Sequence, residues 1–127
     1  MTNEDMSSLQ IIKSELFAAP KSDIGRCLEI TQRIHGLGTA GASGLLAVLF
    51  PEDFGTVDQF VVKRLQEIDH PFYCDDLNKI NPDRIKQTDG VLMIEIMRRK
   101  AVELNKKFNT DFWTPRKIDM VLWAYGR

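Results

Sequence analysis

The residues of this chain that could do chemistry are concentrated in one stretch, residues 35–64, HGLGTAGASGLLAVLFPEDFGTVDQFVVKR. A glycine turn containing Gly36 and Gly38 opens into an apolar helix, and Asp58 falls in the predicted first turn of the next helix. Glycine lets the main chain approach a ligand closely, and the start of a helix offers free amides at the positive end of its dipole. This order is typical of a phosphate-binding hairpin beside a carboxylate.

A simpler interpretation exists for each of these residues. Gly36 would be a helix C-cap and Gly38 a tight-turn residue, because glycine is common between helices. Asp58 would be an acid that the helix dipole favours in a first turn. On the five residues of the turn alone, Ile34 to Gly38, the simpler interpretation is favoured, because Gly-x-Gly between helices is common.

The elements that must position these residues are predicted to be helices throughout. Apolar residues recur at three-to-four spacing, which predicts an all-α fold of five to six helices in an orthogonal array. The first predicted helix covers roughly residues 4–18, a second is capped by Ser22 and ends at the glycine turn, and a third covers 40–49 and is capped by Thr39. A fourth helix is capped by Thr56 and is broken by His70-Pro71. A short helical piece at 75–80, a long helix at 89–108 and a last helix that begins at Thr114-Pro115 follow. Apolar positions of these helices include Phe60, Val102 and Phe108, and Val121 is predicted to lie on the inward face of the last helix.

Composition limits the kind of protein. At 127 residues, with 43% hydrophobic and 28% charged residues, the chain is expected to form one domain over 1–127. The longest apolar run, residues 44–50, is too short to span a bilayer, and the start MTNEDMSSLQ lacks the basic segment of a secretion signal. Two cysteines do not make a disulfide framework, so we expect a cytoplasmic protein. A net charge of −1 argues against a strong non-specific polyanion binder but leaves room for a local basic patch.

The stretch resembles the helix-hairpin-helix DNA glycosylase superfamily. Ile34 to Gly38 fits the turn pattern h-x-G-h-G, where h is apolar, and TVDQFVVKRL from Thr56 is similar to the family's second element, a helix that begins Val-Asp. The resemblance implies that Asp58 matches the catalytic acid. It also implies contacts of Gly36, Gly38, Thr39, Lys63 and Arg64 with the phosphates of a DNA backbone.

The family's nucleophilic lysine is replaced. Bifunctional members carry a lysine two residues after the second hairpin glycine, and here that position is Ala40. Alanine cannot form a Schiff base with the sugar, so a lyase mechanism is not expected. Only about 35 residues precede the hairpin, whereas the enzymes place there several helices that build half of the base pocket.

No cofactor or metal is expected. Cys27, His35, His70 and Cys74 could together ligate zinc, but their spacings do not match common zinc motifs. Cys27 is more simply a small core residue.

Three functions remain open from the sequence. The first is a non-catalytic module that binds DNA backbone without reading sequence. The second is a protein-interaction or homo-oligomer-forming module that does not bind nucleic acid. The third is a minimal monofunctional glycosylase in which Asp58 stabilises an oxocarbenium-like sugar or orients a water.

Overall fold

The structure is a computed structural model that describes residues 3–67 and 75–125. In these residues the chain is all-helical, with seven helices and no strand, so the all-α prediction is confirmed. The helices are α1 (Asn3–Ala18), α2 (Ile24–Thr31), α3 (Thr39–Leu49), α4 (Gln59–Glu67), α5 (Asp75–Asn78), α6 (Gln87–Phe108) and α7 (Pro115–Tyr125). The count exceeds the predicted five to six because the short piece expected at 75–80 forms α5. Ile68, His70 and Cys74 lie outside the described residues.

Helix α6 is the longest element, and it packs against α2, α3, α5 and α7. Helix α7 also packs against α4, and α1 packs against α2. One cluster of buried apolar side chains is shared by these helices, and its largest fully buried members are Phe54, Leu28, Ile30, Leu46, Leu65, Leu77, Met93, Ile94 and Met97. None of the described helices is long and apolar enough to cross a membrane.

Three predicted helix caps are wrong by one or two residues. Asp23, not Ser22, caps α2, because its Oδ1 accepts the amide of Arg26 at 3.1 Å. The N-cap of α3 is Gly38, and Thr39 is already helical. The fourth helix begins at Gln59 rather than near Thr56.

Val121, predicted to lie on the inward face of the last helix, is 42% exposed instead. The apolar residues Phe60, Val102 and Phe108 are 40%, 68% and 62% exposed. Within α6 the buried residues run from Gly90 to Ala101, and Leu104 beyond them is partly buried against the core. Val102 directly follows the buried Ala101 and therefore lies on another face of the helix, and Phe108 is the last residue of α6.

Arg98 joins three segments at the side of the core. Its guanidinium donates to the carbonyl oxygens of Asp53 and Lys21, both at 2.7 Å, and lies 4.9 Å from the centre of the Phe54 ring. Burial lowers the pKa of Arg98, against the opposing charge of Asp53. Arg98, the first of the three consecutive basic residues Arg98, Arg99 and Lys100, therefore ties the loops at Lys21 and Asp53 to α6.

Gly55 lies where α6 and α7 meet the connection between α3 and α4. A Cβ at this position would lie 2.5 Å from the sulfur of Met97 and 2.6 Å from the carbonyl oxygen of Pro115. The second of these atoms is backbone and cannot move without shifting the start of α7. A side chain of any size is therefore excluded at residue 55.

We expect Gly55→Ala to lower the free energy of unfolding by about 1–3 kcal/mol through overpacking. Gly44→Ala is the matched control, since residue 44 lies inside α3 and its added Cβ would meet Thr56 at an ordinary 3.8 Å. That control is expected to be neutral or to stabilise the fold by up to about 1 kcal/mol. Urea denaturation of both variants measures the difference, and equal stabilities would contradict the packing argument.

Candidate functional site

The turn between α2 and α3 leaves the start of α3 open. Gly36 adopts a left-handed conformation with φ of +88°, which a residue with a side chain rarely adopts. Gly38 is an extended N-cap with no side chain to bond the helix amides. The first intrahelical bond is donated by Ala42 to the Gly38 carbonyl at 2.9 Å. The amides of residues 39–41 therefore have no acceptor within the helix.

This helix start lies on an open groove of about 480 Å³. The start of α4 forms a second wall, and the loop before α6 forms a third. The lining residues are Gly38, Thr39, Ala40, Asp58, Gln59, Pro82, Asp83, Arg84 and Ile85. Two helix N-termini thus face one groove, which makes it the natural candidate for an anion site.

Charged side chains of both signs line the groove. Arg84 is exposed and supplies a guanidinium, whereas Asp58 and Asp83 supply carboxylates. The positive ends of α3 and α4 add partial charges that favour an anion. The groove is therefore mixed in charge rather than a basic track.

Asp58 has a capping role in the structure. Its Oδ1 accepts the amide of Val61 at 2.9 Å, and its carbonyl oxygen accepts the amide of Val62 at 3.0 Å. Asp58 therefore precedes α4 as its N-cap rather than lying in the first turn as predicted. The cap accounts for an acid at this position without any chemistry.

The structure brings together some of the predicted site residues and separates others. Gly38, Thr39 and Asp58 line the same groove, whereas Gly36, Lys63 and Arg64 are not among its lining residues. Arg64 pairs with Glu67 at 3.0 Å, and Lys63 is exposed elsewhere on α4.

Thr39 can offer the groove little beyond its amide. Its side chain is buried, and its hydroxyl accepts the side-chain amide of Gln32 at 3.1 Å. The hydroxyl therefore helps to hold α3 against the end of α2.

The sequence interpretation missed the third wall of the groove. Pro82, Asp83, Arg84 and Ile85 come from the loop that the sequence marks only by the turn signal Asn81-Pro82. The side chain of Asn81 accepts the amide of Asp83 at 3.0 Å, which fixes this turn. Nothing in the local pattern indicates that the loop faces α3, because the approach depends on tertiary packing.

Asp119 is a buried acid that the sequence interpretation also missed. It is 2% exposed, and its two oxygens accept the Thr56 amide at 2.7 Å and the Arg116 guanidinium at 2.8 Å. A signal was available, since Asp119 occupies a helix position next to Ile118 and three residues before Leu122, both buried. An acid on the inner face of an amphipathic helix indicates a buried polar contact.

Burial raises the pKa of Asp119, against the opposing effects of the Thr56 amide and the Arg116 guanidinium. The negative charge of Asp58 raises it further.

The described residues contain no group of three or more side chains placed to hold a metal ion. Cys27 is fully buried, its thiol contacts the carbonyl oxygen of Pro20 at 3.6 Å, and burial raises the pKa of that thiol. A raised pKa keeps the thiol protonated and unreactive. Cys27 is a core residue, and two of its three potential partners, His70 and Cys74, fall outside the described residues.

Comparisons of the chain with protein-family models, with curated proteins and with solved structures find no match.

The raised pKa of Asp119 predicts a specific pH dependence of stability. Because the folded state holds the proton of this carboxyl more tightly than the unfolded state, its titration contributes stability at low pH that is lost as pH rises through the folded pKa. Relative to Asp119→Asn, which does not titrate, the wild type is expected to gain stability as pH falls from neutral toward about 4. Urea denaturation of both proteins across this range is the measurement, and a stability difference that does not change with pH would contradict it.

Proposed function

We propose that this chain is a non-catalytic helical module that binds the phosphate backbone of DNA without reading its sequence. In this proposal α2, the glycine turn and α3 act as a helix-hairpin-helix unit within an orthogonal helical array. The single observation that carries the proposal is the uncapped start of α3, whose amides open onto the groove. A phosphate placed there accepts main-chain hydrogen bonds at the positive end of the helix dipole.

The donors in this proposal differ from those that the sequence indicated. The amides of residues 39–41 contact the phosphate, and Arg84 reaches it from the opposite wall. Gly36 contributes by its left-handed conformation, which sets the direction of the chain into α3. Lys63 and Arg64 lie outside the groove lining and would act only at longer range.

The carboxylates of Asp58 and Asp83 oppose phosphate binding. We therefore expect a modest affinity for DNA that falls as the salt concentration rises. The same two carboxylates provide a test of the site, because their removal strengthens binding only if the phosphate lies in this groove. Asp58 has a structural role as a helix cap, which favours the non-catalytic form of the proposal over a minimal glycosylase.

We expect Ala40→Asp to weaken binding to a labelled DNA duplex about tenfold at low salt, since it places a carboxylate at the phosphate position. An acid near a helix N-terminus favours the helix, so this variant should fold. Ser14→Asp adds the same charge on the exposed face of α1 and serves as the matched control. Fluorescence anisotropy gives both affinities.

The complementary variants sharpen this experiment. Asp83→Asn should strengthen duplex binding several-fold, and Arg84→Gln should weaken it while lowering the salt slope by about 0.9. Equal affinities of Ala40→Asp and Ser14→Asp, or a wild type that binds no duplex at low salt, would refute the proposal.

A second candidate function is self-association through α7. Met120, Val121 and Trp123 are 53%, 42% and 40% exposed on one helix. Large apolar side chains grouped on a surface are typical of protein interfaces. On this alternative the chain forms a homo-oligomer and needs no nucleic acid.

Sedimentation equilibrium tests the alternative. A wild type that associates, together with a Met120→Glu variant that stays monomeric, would support it. Ser14→Glu, on the exposed face of α1, is the control that adds the same single negative charge. A wild type that remains monomeric at high concentration excludes the alternative.

A further inference from the structure

Charge is unevenly distributed along this nearly neutral chain. Residues 98–127 carry eight basic and three acidic side chains, a net charge of +5. Residues 1–97 carry nine basic and fifteen acidic side chains, a net charge of −6. The end of α6, the loop that follows it and α7 therefore form a basic region on an otherwise acidic protein. Such asymmetry is typical of proteins that contact nucleic acid.

Aromatic rings lie among these basic residues at the corner between α6 and α7. Phe108 is 62% exposed and Phe112 is 55% exposed. Phe112 also meets the Trp113 ring edge-on, with 5.3 Å between the ring centres. Two of the most exposed large apolar side chains of the described chain thus lie four residues apart, one at the end of α6 and one in the loop that follows it.

A lysine stands over each exposed ring. The Lys117 ammonium lies 3.7 Å from the centre of the Phe112 ring, and the Lys107 ammonium lies 5.7 Å from that of Phe108. Lys117 also donates to the Phe112 carbonyl oxygen at 2.8 Å, which holds the ammonium in place. We call Lys107, Phe108, Phe112, Trp113 and Lys117 the aromatic corner.

The loop that carries the aromatic corner is held in one conformation. The side chain of Asn105 donates to the Trp113 carbonyl oxygen at 2.9 Å and accepts the Trp113 amide at 2.8 Å. Asn109 ends α6 in a left-handed conformation with φ of +49°, and the Thr110 hydroxyl accepts the Phe112 amide at 3.2 Å. A loop fixed before binding loses less entropy when it binds a ligand.

We propose that the aromatic corner binds single-stranded nucleic acid. In this proposal the face of each ring that is turned away from its lysine stacks on an unpaired base, and Lys107 and Lys117 contact the neighbouring phosphates. This combination of ring stacking and cations is how sequence-tolerant single-strand binders work. The proposed surface is separate from the groove at α3, and it binds a different form of nucleic acid.

A membrane surface is a poorer fit to the same residues. Insertion of the two phenylalanines would also bury the exposed Asn109 and Asp111 that lie between them. Burying polar groups without partners is costly in an apolar phase. Flexible single strands can instead reach each ring separately and leave the polar residues in water.

The test is fluorescence anisotropy with a labelled oligothymidine of about 16 nucleotides at low salt. Phe112→Leu keeps an apolar side chain but removes the ring, and we expect it to weaken binding roughly tenfold. Phe17→Leu is the matched control, since Phe17 is 53% exposed and also meets another ring edge-on, that of Phe50 at 5.1 Å. This control should bind as the wild type does.

Lysine variants test the phosphate contact. Lys107→Gln is expected to lower the slope of log affinity against log salt by about 0.7, and Lys13→Gln on α1 is expected to leave it unchanged. Both variants remove one positive charge from an exposed position. Equal slopes would show that only net charge matters and would overturn the proposal.

The outcomes separate this surface from the groove. Phe112→Leu should retain duplex binding, and Ala40→Asp should retain single-strand binding. The proposal is overturned if the wild type binds no oligothymidine at low salt, if Phe112→Leu and Phe17→Leu bind alike, or if vesicles of anionic phospholipid are bound while the oligonucleotide is not.

Discussion

The buried carboxylate of Asp119 is the contact on which the arrangement of the groove depends. It accepts the Thr56 amide and the Arg116 guanidinium, so it ties the connection between α3 and α4 to the start of α7. The hydroxyl of Ser43 accepts the next amide, that of Val57, at 2.8 Å. These bonds hold residues 56 and 57 outside a helix, and α4 therefore begins only after Asp58. The acid that caps α4 faces the start of α3 because this connection is fixed from both sides.

The same connection explains why the sequence predicts the helices better than their ends. The all-α fold, the long α6 and the proline at the start of α7 follow from periodicity and local turn signals. Thr56 has the side chain of a good cap, yet its amide is used by a residue 63 positions away. A local rule cannot anticipate that partner, and so the predicted cap was displaced to Asp58.

The lining of the groove could be predicted only in part, for a similar reason. Gly38 and Asp58 could be chosen from their spacing, and both line the groove. Lys63 and Arg64 follow Asp58 in sequence, but they are not among the groove-lining residues. Arg84 lines it from a distant loop that carries only a turn signal. The spacing of residues along one or two helices can be predicted from sequence. The position of a third segment beside them, here the loop that carries Arg84, depends on how the core packs.

The charges of the two proposed surfaces suggest different roles for them. In the groove, the carboxylates of Asp58 and Asp83 counteract the dipoles of α3 and α4 and the charge of Arg84, so a phosphate there is positioned by directed amides more than by net attraction. At the aromatic corner, lysines and rings lie within a region of net charge +5. This net charge attracts a polyanion from any direction, whereas stacking on the rings orients its bases. A polyanion would be drawn first to the corner by the long-range field, because screened charges act over about 10 Å whereas amide contacts need direct approach. A net charge of −1 for the whole chain is therefore compatible with nucleic-acid binding, since the charge is divided between two ends of the sequence rather than absent.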